Sequence, residues 1–441
     1  MGSDYLDEVL QAQKRGQALG VPSVCSAHPH VLRAAARQAV RSGGAVLVES
    51  TCNQVNQHGG YTGMTPDAFR RYVDDIADQA GLAKEKVILG GDHLGPLVWK
   101  GLPAAQAMEE AAALVRACVR AGYSKIHLDA SMHLGDDASA RALDPEIMAR
   151  RAAALGRAAE EAHADAGGLP PLRYVIGTEV PPPGGAKVHE DRVQITSVED
   201  VRQAIDLTRQ AFGKEGIEGA WERVMAVVVQ PGVEFGDDFV LAYDPQTAEG
   251  LSRFIEGVPG VVFEAHSTDY QPRASLRAMV RDHFAVLKVG PALTFAFREM
   301  VFALAAIERE LFGEARLAEL SNILEVLEAA MLEHPAHWQE HHRGSPEEQA
   351  HARKHSLSDR IRYYWADPRV QSALDRLMRN LGGGPIPLTL LSQFAQGQAE
   401  HVRDGIVENS PDALILDRID QVLQDYEFAC QGRMPNRPPT P

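Results

Sequence analysis

Cysteine is scarce and scattered: Cys25, Cys52, Cys118 and Cys430 are the four in 441 residues, and none has Cys-x-x-Cys spacing. That argues against a disulfide framework or a zinc ribbon and points to a reducing, cytoplasmic setting. Positive charge is also short. Lys and Arg total 44 against 60 Asp and Glu, a formal net charge of −16. This balance disfavours nucleic acid and membrane surfaces as partners, so a phosphorylated ligand needs a locally basic pocket. No apolar run reaches transmembrane length, and "MGSDYLDEVL" lacks the basic and apolar regions of a signal peptide. Neither G-x-G-x-x-G nor G-x-x-x-x-G-K follows an early strand, which argues against a nucleotide-phosphate loop.

What the chain does have is enough apolar residue, 45%, to bury a large core. Its length fits one α/β barrel with an extension or two to three smaller domains. Short apolar, β-branched runs recur: "PSVCSAHP", "AVLVESTCNQ", "VILGGDHLGP", "KIHLDAS", "RYVIGTEVPPPGG", "MAVVVQPGVEF", "VVFEAHSTDY" and "FAVLKVGPALTF". Between them lie helical stretches such as "HVLRAAARQAVRSGG" and "PAAQAMEEAAALVRACVRAG", each closed by glycine. Eight strand–helix alternations predict a (β/α)8 TIM barrel over residues 1–295, in preference to a doubly wound open sheet. From 296 to 430 the texture is helical, an extension expected to cap the barrel. Residues 431–441, "GRMPNRPPTP" with the glutamine before it, read as a disordered tail.

A parallel barrel carries its site at the carboxyl ends of its strands. Seven of the eight runs place polar groups there: Glu49, Asn53 and Gln54; Asp92 and His93; His127 and Asp129; Glu179; Gln230 and Glu234; Glu264, His266 and Asp269; and Lys288. The first run offers only His28. Any one of these could be a cap or a satisfied core group, but packing does not explain the repeated coincidence. Imidazoles with carboxylates suit a divalent cation, zinc first, with manganese or magnesium as alternatives. His93 and His266 are the leading ligands with Glu179 as third, and Asp129 or His127 could replace any of them. Such a cation polarises a carbonyl and stabilises an enediolate. Asp92 is then the prime proton-transfer group, with Asp129 and Glu264 behind it. Glu49, Asn53, Gln54 and His127 would contact the substrate.

An anionic tail would be held by Lys288, by the amides around Gly290 and by cationic groups of "SLSDRIRYYW", which offers Ser358, Arg360 and Arg362 beside Tyr363, Tyr364 and Trp365. Gly90 and Gly91 would let a substrate approach the backbone. His337, His341 and His342 sit in a charged stretch and read as solvated surface.

The motifs "ESTCNQVNQHGGYTGMTP", "GGDHLGP", "HLDAS", "GTEVPPPGG", "QPGVEF", "FEAHSTDYQ", "LKVGPALTFAFRE" and "SDRIRYYW" resemble the Z-type subunit family of class II tagatose-bisphosphate aldolases, over roughly residues 5 to 430. The resemblance implies a barrel. Members are described as non-catalytic partners that stabilise a separate metal-dependent aldolase subunit, as 4-epimerases interconverting tagatose 6-phosphate and fructose 6-phosphate, or, in older labels, as tagatose 6-phosphate kinases. The kinase label fits poorly without a phosphate loop. Asp92-His93 also resembles the Asp-His pair of catalytic class II aldolases, where the histidine binds zinc and the acid handles a hydroxyl proton. "QPGVEF" departs from those enzymes in lacking a histidine. The expectation is therefore a metal-dependent ketose-phosphate 4-epimerase acting by a retro-aldol route under a helical lid. The alternative is a non-catalytic stabilising subunit of an aldolase. A phosphorylated ketohexose, an aldolase catalytic subunit and a second copy of the chain are the expected partners.

Overall fold

The structure, a computed structural model, describes residues 2–138, 142–177, 186 and 193–431. Glu179 and residues 432–441 of the tail expected at 431–441 lie outside the described residues, while Gln431 ends the helix Pro411–Gln431. Among the described residues ten strands occur in the order β1 (Val21–Val24), β2 (Val46–Thr51), β3 (Val87–Leu94), β4 (Lys125–Leu128), β5 (Arg173–Ile176), β6 (Val224–Val229), β7 (Glu234–Phe235), β8 (Val240–Leu241), β9 (Val262–Ala265) and β10 (Phe284–Val289). Eight of them close into a parallel barrel in the order β1-β10-β9-β6-β5-β4-β3-β2, while β7 and β8 form a small antiparallel pair after β6. The architecture is a TIM barrel, as the alternation of runs predicts. Parallel strands covered on both sides need apolar residues on both faces, which is why β6 reads "VMAVVV" and is buried throughout.

Helices follow the strands around the outside and pack the larger core against them. Their ends are written in the sequence. Pro66–Ala80 starts on the Thr65 side chain and stops at left-handed Gly81, and Val198–Lys214 starts on Ser197. The helix Gly2–Lys14 places Leu6 and Val9 against Val21, Leu47, Ile88, Val175 and Met225, plugging the amino-terminal end of the barrel. The boundary expected at residue 295 falls inside the helix Pro291–Phe312, whose Ala292, Leu293, Ala296 and Phe297 are core residues packed behind β10.

The C-terminal helices divide their work. Pro411–Gln431 lies along the barrel's flank against Pro29–Ser42, Arg273–Arg281 and Pro291–Phe312, pinned by a bidentate pair of 2.8 Å bonds from Arg33 to Asp412. Residues 334–365 instead reach the rim. There the Leu357 amide donates to the Asp237 carbonyl and Tyr363 meets Tyr61 edge-on at 4.7 Å between centroids. Among the described residues no helix is long and apolar enough to cross a membrane.

Gly95, just past β3, shows how tightly the rim is packed. A Cβ there would stand 1.6 Å from the Asp129 carbonyl oxygen, a backbone atom that cannot swing away. Gly95→Ala is therefore expected to push the ends of β3 and β4 apart and to lower the thermal midpoint of unfolding by several degrees. Differential scanning calorimetry beside Gly216→Ala, where a Cβ meets nothing within 4 Å but the φ of +74° is unfavourable, separates the clash from backbone strain.

Candidate active site

Inside the barrel, side chains from strands that do not neighbour one another meet across the lumen. The Lys125 ammonium of β4 lies 2.5 Å from Glu49 of β2 and 2.6 Å from Glu264 of β9. Lys288 of β10 lies 2.7 Å from Asp92, contacts Glu49 still more closely, and stands 3.7 Å from Glu264. Glu49, Glu264 and Lys125 are fully buried. Burial by itself would raise the Glu264 carboxyl and lower the lysines. Their mutual charges win, holding Glu264 well below the usual carboxylate range and both ammoniums above theirs.

Glu49 is thus a partner of the lysines and does not reach the cleft, and Lys288 is engaged by carboxylates. Gly90 and Gly91 have a different cause from the one expected. A Cβ on Gly90 would be 2.8 Å from the Glu49 Cγ, and one on Gly91 would be 2.1 Å from Leu94, so these glycines admit protein side chains and not a ligand.

Above this layer three imidazoles form a triangle. Ring centroids are 5.2 Å apart for His93 and His127, 4.9 Å for His93 and His266, and 5.3 Å for His127 and His266. An ordinary strand would point Asp92 and His93 to opposite faces. Here the register of β3 against β4 shifts between Gly91 and Leu94, and His93 adopts a left-handed φ of 48°. The irregularity lets both side chains line one cleft.

His93 Nδ1 lies 2.8 Å from Asp129, the carboxylate–histidine arrangement that fixes a ring nitrogen's direction. Burial opposes its charge, but Asp92 and Asp129 raise His93 above its ordinary value. Burial drives His266 the other way, down to about 4, so it is neutral with a lone pair to offer. Asp92, which burial would raise, is held well below the usual range by His93, Lys288 and His127.

Asp92, His127, Glu264 and His266 present ligand atoms within 4.8 Å of one another. The His127 Nε2 is buried without a hydrogen-bond partner, while its Nδ1 lies 3.2 Å from Asp92. The same Nδ1 accepts from the His93 amide at 3.2 Å, so Nε2 is the ring nitrogen left without a protein partner. Glu49, Asp92 and Glu264 face the two ammoniums while Asp129 pairs with His93, so carboxylates outnumber ammoniums in this layer. The donor set and the charge both fit a divalent ion.

The cleft over this floor is lined by Asn53, Gln54, Tyr61, Asp92, His93 and His266, with Arg362 and Tyr363 on its C-terminal wall. The structure brings Asn53 and Gln54 to it as expected, but not all of the anticipated tail-binding set. The Gly290 amide, though Gly290 lines the cleft, donates to Asp269 at 3.0 Å and Ala292 donates to the same oxygen at 2.8 Å. Ser358 is buried against Ser356 and Asp237, and the Tyr364 hydroxyl donates to the His334 carbonyl. Gln230 caps the amides of Gly232 and Val233, and Glu234 accepts from the Phe235 amide. Arg360 is 4% exposed and sits behind Tyr363.

His342, expected on the surface, is fully buried beside Asp237 at 3.1 Å, and His337 stacks on Tyr363. Lys125 and Tyr61 are the residues that sequence reasoning passed over. Lys125 did carry a signal, since it shares the alternating face of "KIHLD" with His127 and Asp129.

Removing the Lys125 charge should leave two buried carboxylates facing each other. Lys125→Met is expected to cost about 3–5 kcal/mol in urea unfolding, the range for breaking a buried pair. A second expectation concerns Asp269, which burial raises to about 6 despite its amide partners. A folded value above the unfolded one means that its contribution is present below about pH 4 and lost as pH rises through 6. Asp269→Asn should therefore flatten that part of the pH dependence of the urea midpoint.

Comparison with known proteins gives the site its relatives. Residues 6–431 match the family described as "D-tagatose-1,6-bisphosphate aldolase subunit GatZ/KbaZ-like". The D-tagatose-1,6-bisphosphate aldolase subunits GatZ of Salmonella heidelberg (strain SL476) and Salmonella agona (strain SL483) are each 48% identical over 425 residues, 96% of this chain and 99% of theirs. A crystal structure described as a probable tagatose 6 phosphate kinase from Sinorhizobium meliloti 1021 aligns with a TM-score of 0.85 at 47% identity, over 93% of this chain and 100% of that one. The chain belongs to the GatZ/KbaZ-like family of D-tagatose-1,6-bisphosphate aldolase subunits.

Proposed function

We propose that this chain is itself an enzyme, a ketose-phosphate 4-epimerase that interconverts D-tagatose 6-phosphate and D-fructose 6-phosphate at the carboxyl end of its barrel. The observation that carries the reading is the histidine triangle set on a buried layer in which carboxylates outnumber ammoniums, with the unpartnered Nε2 of His127 at one corner. His93, His127 and His266 would hold a divalent cation, with zinc first and manganese or magnesium as alternatives. When bound, that ion would supply Lewis acidity to the ketose carbonyl.

The chain's own groups do the rest. Asp92 is ionised at neutral pH and lines the cleft, so it starts as a proton acceptor. It takes the proton of the C4 hydroxyl. The C3–C4 bond then breaks, its electron pair passing to C3 and into the C2 carbonyl, and an aldehyde is left at C4. Rotation of the aldehyde and re-attack by C3 on its other face invert C4. Lys288, 2.7 Å from Asp92, stabilises the carboxylate whenever it is unprotonated. Asn53, Gln54 and Arg362 line the cleft, and in this reading the amides would hold hydroxyls and the guanidinium would meet a phosphate. The wall formed by Arg362 and Tyr363 helps to retain the cleaved aldehyde.

A second reading is a subunit that stabilises a separate aldolase chain without chemistry of its own. The subunit names of the 48%-identical relatives favour it. The two readings separate in one assay. Purified chain incubated with tagatose 6-phosphate and zinc, manganese or magnesium should form fructose 6-phosphate. In that assay Asp92→Asn should lose about 10²–10⁴ in rate while retaining the cation, and His127→Ala should lose both, with the cation followed by elemental analysis. No turnover with any of the three metals, together with tight binding to a catalytic aldolase subunit, would establish the second reading instead.

A further inference from the structure

The Tyr363 phenol has an environment that a merely packed tyrosine does not need. Its ring stacks on His337 at 4.7 Å with 6° between planes and meets Tyr61 edge-on, while its face towards the barrel lines the cleft. The phenol oxygen receives the Arg362 Nη2 at 3.1 Å and the Arg360 Nη1 at 3.4 Å. Arg362 is anchored through its Nη1 to the carbonyls of Ser358 and Asp359.

Arg360 is the unusual member. It is buried, and its Nε and Nη2 have no hydrogen-bond acceptor. The acids nearest in sequence or charge are committed elsewhere, Asp359 to Thr294 and Arg298, and Asp237 to Ser356, Ser358 and His342. A buried guanidinium without a carboxylate is costly, and its field falls on whatever polar atom stands next to it. Here that atom is the Tyr363 oxygen.

We propose that Tyr363 is a second proton-transfer residue of the cleft, acting on the substrate from the C-terminal wall while Asp92 acts from the barrel floor. The proposal rests on the epimerase reading. Inversion at C4 places the carbinol oxygen in two different positions, and one carboxylate on one side does not serve both equally. In one direction the C4 hydroxyl gives its proton to Asp92 and the C3–C4 pair passes to C3. After rotation and re-attack on the opposite face, the new C4 alkoxide takes the phenol proton of Tyr363. The resulting phenolate is held by Arg360 and Arg362. The proton on Asp92 returns to the phenolate through solvent, so no proton or electron is left over. In the other direction the two residues exchange roles.

The titration behaviour agrees. The groups facing the phenol are Arg360 and Arg362 from its own turn, His337 from the turn Pro335–His337, and Tyr61 from the loop after β2. Burial by itself would raise the phenol, but the charges of Arg362 and Arg360 outweigh it and bring it below its ordinary value. Burial lowers Arg360 only to about 10, so its charge persists at neutral pH.

The test uses the metal-loaded full chain and Tyr363→Phe, which keeps the ring packed between His337 and Tyr61, with Arg360→Gln as a second variant. Phenolate absorbance followed against pH should show one tyrosine ionising below the ordinary range in the wild type. That step should vanish in Tyr363→Phe and move upward in Arg360→Gln. Turnover of tagatose 6-phosphate should fall at least a hundredfold in Tyr363→Phe with unchanged cation content. In Arg360→Gln the basic limb of the rate profile should shift in the same direction as the phenol. A Tyr363→Phe rate within threefold of an active wild type, or an unchanged absorbance titration, overturns this role alone. A wild type that turns over no ketose phosphate overturns the epimerase reading and this role with it.

Discussion

Two ammonium groups in the barrel lumen hold together three carboxylates, most of them from strands across the barrel. Lys125 reaches Glu49 and Glu264, and Lys288 reaches Glu49, Asp92 and Glu264. Neither sign could be buried there alone, since the cost of desolvating an isolated ion exceeds what one hydrogen bond returns. The layer works as a cross-brace between opposite sides of the barrel and as the floor of the site. It also sets the local potential. With acids in excess, the region above is held negative, and the neutral His266 and the unpartnered His127 Nε2 lie in that field.

From that floor the geometry is decided by one departure from regular structure. Adjacent residues of a strand diverge, yet Asp92 and His93 both turn into the cleft because β3 slips its register and His93 takes a left-handed φ. Strain of this kind persists only where surrounding contacts overdetermine it, and here they do. Asp129 fixes the ring, the His93 amide donates to His127 at 3.2 Å, and the packed Gly95 follows.

The barrel was legible because its runs are β-branched, glycine-bounded and separated by capped helices, signals that need no knowledge of contacts. The rim histidines and acids were legible for a related reason: a parallel barrel fixes which end of each strand is functional. Partnership across the lumen was not. Glu49 looked like a substrate contact because nothing local announces Lys125, and Gly290 looked like an anion site because Asp269 is twenty-one residues away in sequence. In the segment 356–365 the turn is short and irregular, so no sequence period says which of its residues face the cleft. Of the residues expected there Arg362 lines the cleft, with Tyr363 beside it, while Ser358 and Tyr364 are turned to other partners. His342 was hidden by its charged neighbours, and its partner Asp237 lies far back in the chain.

The way the barrel closes has a kinetic meaning. β1 pairs with β10, Val21 beside Val286, and the helix Pro29–Ser42 is covered by Pro411–Gln431. Residues 20 to 40 therefore have no permanent neighbours on one side until residues 284–289 and then 411–431 have been made. At ordinary translation speeds of about 5–20 residues per second, that leaves an open sheet edge and an uncovered apolar helix exposed for tens of seconds. Completion of the barrel and assembly of the cleft wall at Tyr363 are then late events on one time axis.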